Sequence, residues 1–167
     1  MTGPPTFSNS KRMEGVLDVQ LQAGKAMLKL RGRALPVEQP APGRLTAMNG
    51  GVSLDFDAAR ESATLTLLGS NGGTFRRVQR PSASAADAAE LAGTYRSAEL
   101  NTTWTIRADG SALVLHGRAI GDNPLEPVMR DGFMMPNGFL RVTRGADGRI
   151  NGFDVSASRM KRIRFDR

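Results

Sequence analysis

The sequence predicts an all-β fold, two tandem small antiparallel β-barrels, each an up-and-down meander of about eight short strands. Three observations lead there. Apolar and polar residues alternate with period two over short segments. Turn dipeptides cut those segments at regular intervals. The second half of the chain then repeats the first.

The segments are taken in order. In Leu17-Asp18-Val19-Gln20-Leu21 the odd positions point inward, and in Leu28-Lys29-Leu30 the even ones do. Val52-Ser53-Leu54-Asp55-Phe56-Asp57 alternates strictly, as does Leu65-Thr66-Leu67. Trp104-Thr105-Ile106, Leu113-Val114-Leu115, Leu140-Arg141-Val142 and Phe153-Asp154-Val155 repeat the style. Between them stand Ala23-Gly24, Asn49-Gly50, Asn71-Gly72, Asp109-Gly110, Asn137-Gly138 and Asp147-Gly148. Such pairs suit hairpins because a type I′ turn needs positive φ at both central residues. One helix candidate runs from Ser84 to Leu91, with Ser84 as N-cap and Asp87 three residues on. An Ala/Ser connector is the competing reading of that stretch.

The repeat is clearest where Leu28-Lys29-Leu30-Arg31-Gly32-Arg33-Ala34 meets Leu113-Val114-Leu115-His116-Gly117-Arg118-Ala119. Thr6-Phe7 answers Thr94-Tyr95, Leu54 and Phe56 answer Leu140 and Val142, and Arg77-Val78-Gln79-Arg80 answers Arg164-Phe165-Asp166-Arg167. The offset stays between 85 (Leu28 to Leu113) and 88 (Leu65 to Phe153). This gives a first module over residues 1–80, a linker over 81–91 and a second module over 92–167. Closing each meander removes the sheet edges that would otherwise invite aggregation. A single larger barrel made from both halves is the runner-up.

Composition narrows the function. The chain has 167 residues, with no cysteine and one histidine. Thiolate nucleophiles, disulfides and multi-histidine metal sites are therefore excluded, and no cofactor is expected. Mean hydropathy is −0.31 and no apolar run approaches the ~18 residues of a spanning helix, so no membrane partner is expected. Met1-Thr2-Gly3-Pro4-Pro5 lacks an apolar run, so no signal peptide is expected either. The net charge of +7 points to nucleic acid only if the cations cluster with exposed stacking rings. Arg162 and Arg164 alternate with Ile163 and Phe165, the pattern of a solvated outer face, and Tyr95, Trp104, Phe139 and Phe153 sit at core positions. No nucleic-acid partner is expected; a basic nucleic-acid-binding β protein is the third-ranked reading.

The run Leu91-Ala92-Gly93-Thr94-Tyr95-Arg96-Ser97-Ala98-Glu99-Leu100, followed by Thr103-Trp104-Thr105-Ile106, carries a resemblance. So does the closing run from Gly148-Arg149-Ile150-Asn151-Gly152-Phe153 to Ile163-Arg164-Phe165. Both are similar to the C-terminal β-barrel region of serine hydrolases of the β-lactamase and penicillin-binding-protein class, in the layout of D-aminopeptidase. Leu-Ala-Gly-x-Tyr openings also head other lipocalin-like appended domains. The likeness covers residues 91–167, while residues 1–80 lack the Gly-Thr-Tyr-Arg-Ser opening. It implies a non-catalytic accessory module that packs on a catalytic serine hydrolase domain, in the same polypeptide or in trans, and modulates access or assembly, self-association being left open. A barrel carrying a small apolar ligand is the alternative.

Catalytic signatures argue for no enzyme. The hydrolase motif Ser-x-x-Lys occurs as Ser8-Asn9-Ser10-Lys11 and Ser158-Arg159-Met160-Lys161. It needs serine at the start of a helix and lysine one turn later on the same face. A strand sends residues three apart to opposite faces. The Gly69-Ser70-Asn71-Gly72-Gly73 run reads as a hairpin turn, since no helix follows to make a phosphate cradle. Asp55 and Asp57 read as one solvated strand face. His116 alternates outward, with neither carboxylate nor nucleophile supplied by the local pattern. The insertion Ile120-Gly121-Asp122-Asn123-Pro124 is expected to protrude as a loop. The candidate interaction residues are therefore His116, Arg118, Asp122, Asn123, Met134 and Met135. The two methionines come from a Met-rich bend that fits either core or contact surface.

Overall fold

A computed structural model describes residues 6–9, 15–23, 25–30, 33–82, 84–136, 138–157 and 160–167. The chain divides into two compact units, Met1–Gln79 and Arg80–Arg167. Both are antiparallel β structures, as the alternation dictates. The pair Ser8 and Lys11 falls partly, and the pair Ser158 and Lys161 likewise, outside the described residues.

Unit 1 comprises β1 (Thr6–Asn9), β2 (Gly15–Gln22), β3 (Lys25–Leu30), β4 (Arg33–Pro36), β5 (Glu38–Ala41), β6 (Arg44–Ala47), β7 (Val52–Phe56), β8 (Ser62–Leu67) and β9 (Ser70–Val78). They form a nine-stranded sheet in the order β4-β3-β2-β1-β9-β8-β7-β6-β5. Its two ends, β4 and β5, are neighbours in the chain with Val37 alone between them. The Val37 amide donates to the Ala26 carbonyl at 3.0 Å. Leu17, Leu28, Leu54, Leu65 and Phe75 are fully buried on the inner face. The in-register pairs Val52↔Leu67 and Leu54↔Leu65 show how the period-two pattern becomes a core.

Unit 2 begins with α1 (Ala85–Leu91) and continues through β10 (Gly93–Ser97), β11 (Thr102–Asp109), β12 (Ala112–Gly117) and β13 (Gly121–Met129). It ends with β14 (Gly132–Met135), β15 (Gly138–Arg144), β16 (Ile150–Ala157) and β17 (Met160–Asp166). These eight strands form a closed barrel, sealed where Arg96 of β10 faces Asp166 of β17. A closed hydrogen-bonded ladder is thus present in unit 2, whereas the sheet of unit 1 ends at β4 and β5.

Aromatic rings fill the barrel of unit 2. Trp104 stacks on Phe165 with centroids 4.2 Å apart, Phe165 on Phe153 at 4.9 Å, and Tyr95 tilts against Phe153 at 4.7 Å. Gly117 lies beneath the Trp104 indole, and a Cβ there would stand 2.6 Å from the ring. Gly117 of the Leu113–Ala119 segment is therefore required by ring packing.

Several turns differ from the sequence reading. Asn71 and Gly72 lie inside β9, and the turn before it is Leu68-Gly69, with φ of 47° and 76°. Gly72 is the extra residue of a bulge between Leu65↔Gly73 and Thr66↔Asn71. The dipeptide matched turn chemistry because a bulge, like a turn, accepts a residue without a side chain. Asp57 lies beyond β7 in the turn, where its carboxylate accepts from the Glu61 and Ser62 amides. It does not share a strand face with Asp55, which instead pairs with Arg44 at 2.6 Å.

The 120–124 segment does not protrude. Gly121 to Leu125 belong to β13 and pair in register with Gly117 to Leu113 of β12. The turn is confined to residues 118–120, closed by the Ile120 amide on the Gly117 carbonyl at 3.1 Å. Pro124 faces Val114 within the ladder, so its presence marks a strand position and not a loop.

Candidate functional site

Two places in unit 2 concentrate polar groups. The first is on the outer barrel face, where β11, β12 and β13 run side by side. Thr105, His116 and Asp122 stand directly opposite one another in register across these strands. Nδ1–H of His116 donates to Asp122 Oδ1 at 2.6 Å, and Arg107 donates to Oδ2 at 2.6 Å. A carboxylate so shared is held below its usual range, chiefly by the bond from His116 and then by the charge of Arg107. The sequence reading found no carboxylate beside His116; pairing with β13 supplies Asp122.

That row holds an imidazole in one orientation but does not enclose it. His116 is 49% exposed and Asp122 56%. A general base works best where water is excluded and a nucleophile lies within reach. An open sheet face lacks the first condition. Chemically, the row is a surface charge cluster.

The other sequence candidates scatter. Arg118 is exposed in the turn. Asn123 is buried, and its amide donates to the Ile120 carbonyl at 3.0 Å, closing that turn from within. Met135 joins the barrel core, and Met134 is half-buried on β14. The structure brings His116 and Asp122 together and leaves the two methionines on another strand.

The second place is the end of the barrel beside α1. Ser84 caps this helix, accepting from the Asp87 amide at 3.1 Å. Ala88 and Leu91 point into the core. The C-terminal turn has no basic residue of its own. Its carbonyls are taken by Arg167, which donates to Glu90 O at 3.0 Å and Ala92 O at 2.9 Å. The Tyr95 hydroxyl donates to Leu91 O at 2.6 Å. Burial pushes the Tyr95 phenol above its usual pKa. Leu91, Gly93 and Tyr95 of the Leu-Ala-Gly-x-Tyr opening thus seat the helix on the barrel.

Between α1 and the strand ends lies a pocket of about 380 Å³. Its apolar floor is Leu91, Leu113, Phe133, Val142 and Ile150. Arg144 stands at its wall between two carboxylates, bonded to Asp131 at 2.9 Å and Glu90 at 2.7 Å. These bonds raise the Arg144 pKa further. The sequence reading missed this group because its members lie 54 and 13 residues apart.

Among the described residues no three His, Asp or Glu side chains group as a metal site. No protein-family model matches the chain, and no curated protein matches it.

Proposed function

We propose that the chain is a non-catalytic module of two tandem eight-stranded barrels. In this reading it serves a serine hydrolase of the β-lactamase class, packing on the catalytic domain and modulating access or assembly. The single observation that carries the reading is the helix-to-barrel joint. The residues that resemble the appended barrels of that class, Leu91, Gly93 and Tyr95 with the end of the closing strand, all serve to seat α1 and fill the core. Residues devoted to assembly suit a module that acts through its surface.

The tandem reading draws on strand pairing. Taken as one strand bent at Val37, β4 and β5 together pair with β3 on one side and β6 on the other. β13 does the same, pairing with β12 through its first half and β14 through its second. The β1·β9 pairing then answers β10·β17. In this reading unit 1 is the same barrel with its fourth strand broken at Val37.

The rival readings gain less. A carrier needs space inside the barrel, and four rings occupy the interior of unit 2. Binding single-stranded nucleic acid needs exposed stacking rings beside its cations, yet Tyr95, Trp104, Phe153 and Phe165 are buried in the barrel.

The test is genetic and kinetic. The reading frame upstream is expected to encode a Ser-x-x-Lys catalytic domain, and deleting residues 1–167 should change its KM while hydrolysis persists. An upstream frame without such a domain, together with no change in KM when a Ser-x-x-Lys hydrolase encoded nearby is mixed with this chain, overturns the proposal. So does hydrolysis of D-amino-acid amides or β-lactams by this chain alone, lost in Ser158→Ala.

A further inference from the structure

The pocket between α1 and the barrel end has a use that the accessory role does not require. Its volume, about 380 Å³, falls within the roughly 300–1,000 Å³ of small-ligand sites. The floor is apolar, and the half-buried Phe133 ring contributes to it. What distinguishes ligands is the charge around this floor. Asp87, Glu90 and Asp131 contribute three carboxylates, against the two guanidinium groups of Arg130 and Arg144. The pocket therefore carries excess negative charge on a chain whose net charge is +7.

Hydrogen-bond capacity sharpens that sign. A guanidinium has five N–H donors. In Arg144 they go to Asp131 from Nε and one Nη, to Glu90 from both Nη atoms, and to the Gly148 carbonyl. No donor of Arg144 is left for an incoming anion. Arg130 extends into solvent, 91% exposed. The carboxylates, each with several lone-pair sites, retain capacity to accept from a cation. Phe133 adds a π face, which attracts an organic cation.

We infer that this pocket binds a small organic cation: an ammonium or guanidinium group on a compact aromatic or branched apolar body. The apolar part lies on Leu113, Phe133 and Val142, and the charge faces the Glu90–Arg144–Asp131 wall. The site lies wholly within unit 2 and is independent of any hydrolase partner.

The full chain is titrated with three probes of similar shape at low ionic strength: phenethylammonium, 2-phenylethanol and 3-phenylpropanoate. Amide shifts in a ¹⁵N-labelled sample report the position. Phenethylammonium should perturb Leu91, Leu113 and Phe133 and bind at least about fivefold tighter than the alcohol, one ionic contact's worth in water, with the carboxylate weakest. Arg130→Glu, at an exposed position, should tighten the ammonium probe by about threefold, and added salt should reverse that gain. Equal affinity for the three probes, a reversed order, shifts confined to other residues, or no binding by phenethylammonium would each overturn the inference.

Discussion

In unit 1 the inner face is buried by Leu17, Leu28, Leu54 and Leu65, with Phe75 the one fully buried ring among the described residues. In unit 2 the barrel interior holds Tyr95, Trp104, Phe153 and Phe165 in continuous contact. The first sheet ends at β4 and β5, while the second closes through β10 and β17. The difference teaches that an antiparallel meander of this length has two ways to satisfy its core. Leucines fill space without fixing an arrangement of rings. A stacked aromatic column couples residues from β10 and β17, which meet at the closure, and from their neighbours β11 and β16.

The sharpest way to break this comparison is to delete one ring from each unit. Phe153→Ala should cost about 5 kcal/mol, the upper end for aromatic truncation, because its loss leaves three neighbouring rings unsupported. Phe75→Ala should cost about 3 kcal/mol, the lower end, since the surrounding leucines and alanines can partly collapse. Denaturant unfolding of the two variants measures both. An equal or larger loss for Phe75→Ala would show that the column adds nothing beyond burial.

Glycines at sheet irregularities give the next largest contrast. A Cβ at Gly152 would collide with the Phe165 backbone carbonyl, so Gly152→Ala must push β16 away from β17, at about 3 kcal/mol. At Gly72 the nearest atoms are Leu65 Cγ and Cδ2 at 3.1 Å and its carbonyl oxygen at 3.2 Å, a milder crowding, and Gly72→Ala should cost about 1 kcal/mol. Thermal unfolding should rank them in that order. The reverse ranking would mean that the bulge in β9 tolerates less than the ladder of β16.

These positions also show what was legible beforehand. Alternation located the inward faces of Leu54, Leu65, Trp104, Ile106, Leu140 and Val142 because burial on one side imposes period two. Turn chemistry was less reliable, since Gly72 serves a bulge and Pro124 sits in a ladder. Both residues break patterns for more than one physical reason. His116 and Asp122 were each singled out as surface residues. Their pairing depended on the hairpin register, which a supposed insertion had concealed. The pocket was invisible: Glu90, Asp131 and Arg144 meet only after α1 docks on the closed barrel.

Ion pairs offer a smaller contrast of the same kind. Arg144, with its side chain 29% exposed, joins Glu90 of α1 to Asp131 near the start of β14. Arg144→Met leaves two carboxylates facing each other and should cost about 2 kcal/mol, with faster amide exchange in α1. Arg44 pairs with Asp55 alone among the described residues and is 52% exposed. Arg44→Met should cost much less than Arg144→Met, as the loss of an exposed pair does. Equal losses would mean that the pair between Arg144 and Glu90 does not hold the helix.

The smallest effect separates two aspartates by what holds them ionised. Asp57 is lowered first by the Ser62 hydroxyl, which donates to it at 2.8 Å, with backbone amides adding to the shift. Asp122 is lowered first by the bond from His116, and then by Arg107. In both cases the folded pKa lies below the unfolded value of about 3.9. The unfolded chain therefore binds more protons in this range, and stability falls with falling pH. Each contribution is complete above the ordinary carboxylate value and is lost as pH drops through the folded one. Ser62→Ala should raise the Asp57 midpoint, and His116→Ala the Asp122 midpoint, in carboxyl-detected NMR titrations. Salt then distinguishes them. The donors to Asp57 are neutral, so its midpoint should stay put, whereas screening of Arg107 should move that of Asp122 upward. A shift of both by the same amount would show that Arg107 contributes no specific charge to the row, leaving only hydrogen bonding to explain Asp122.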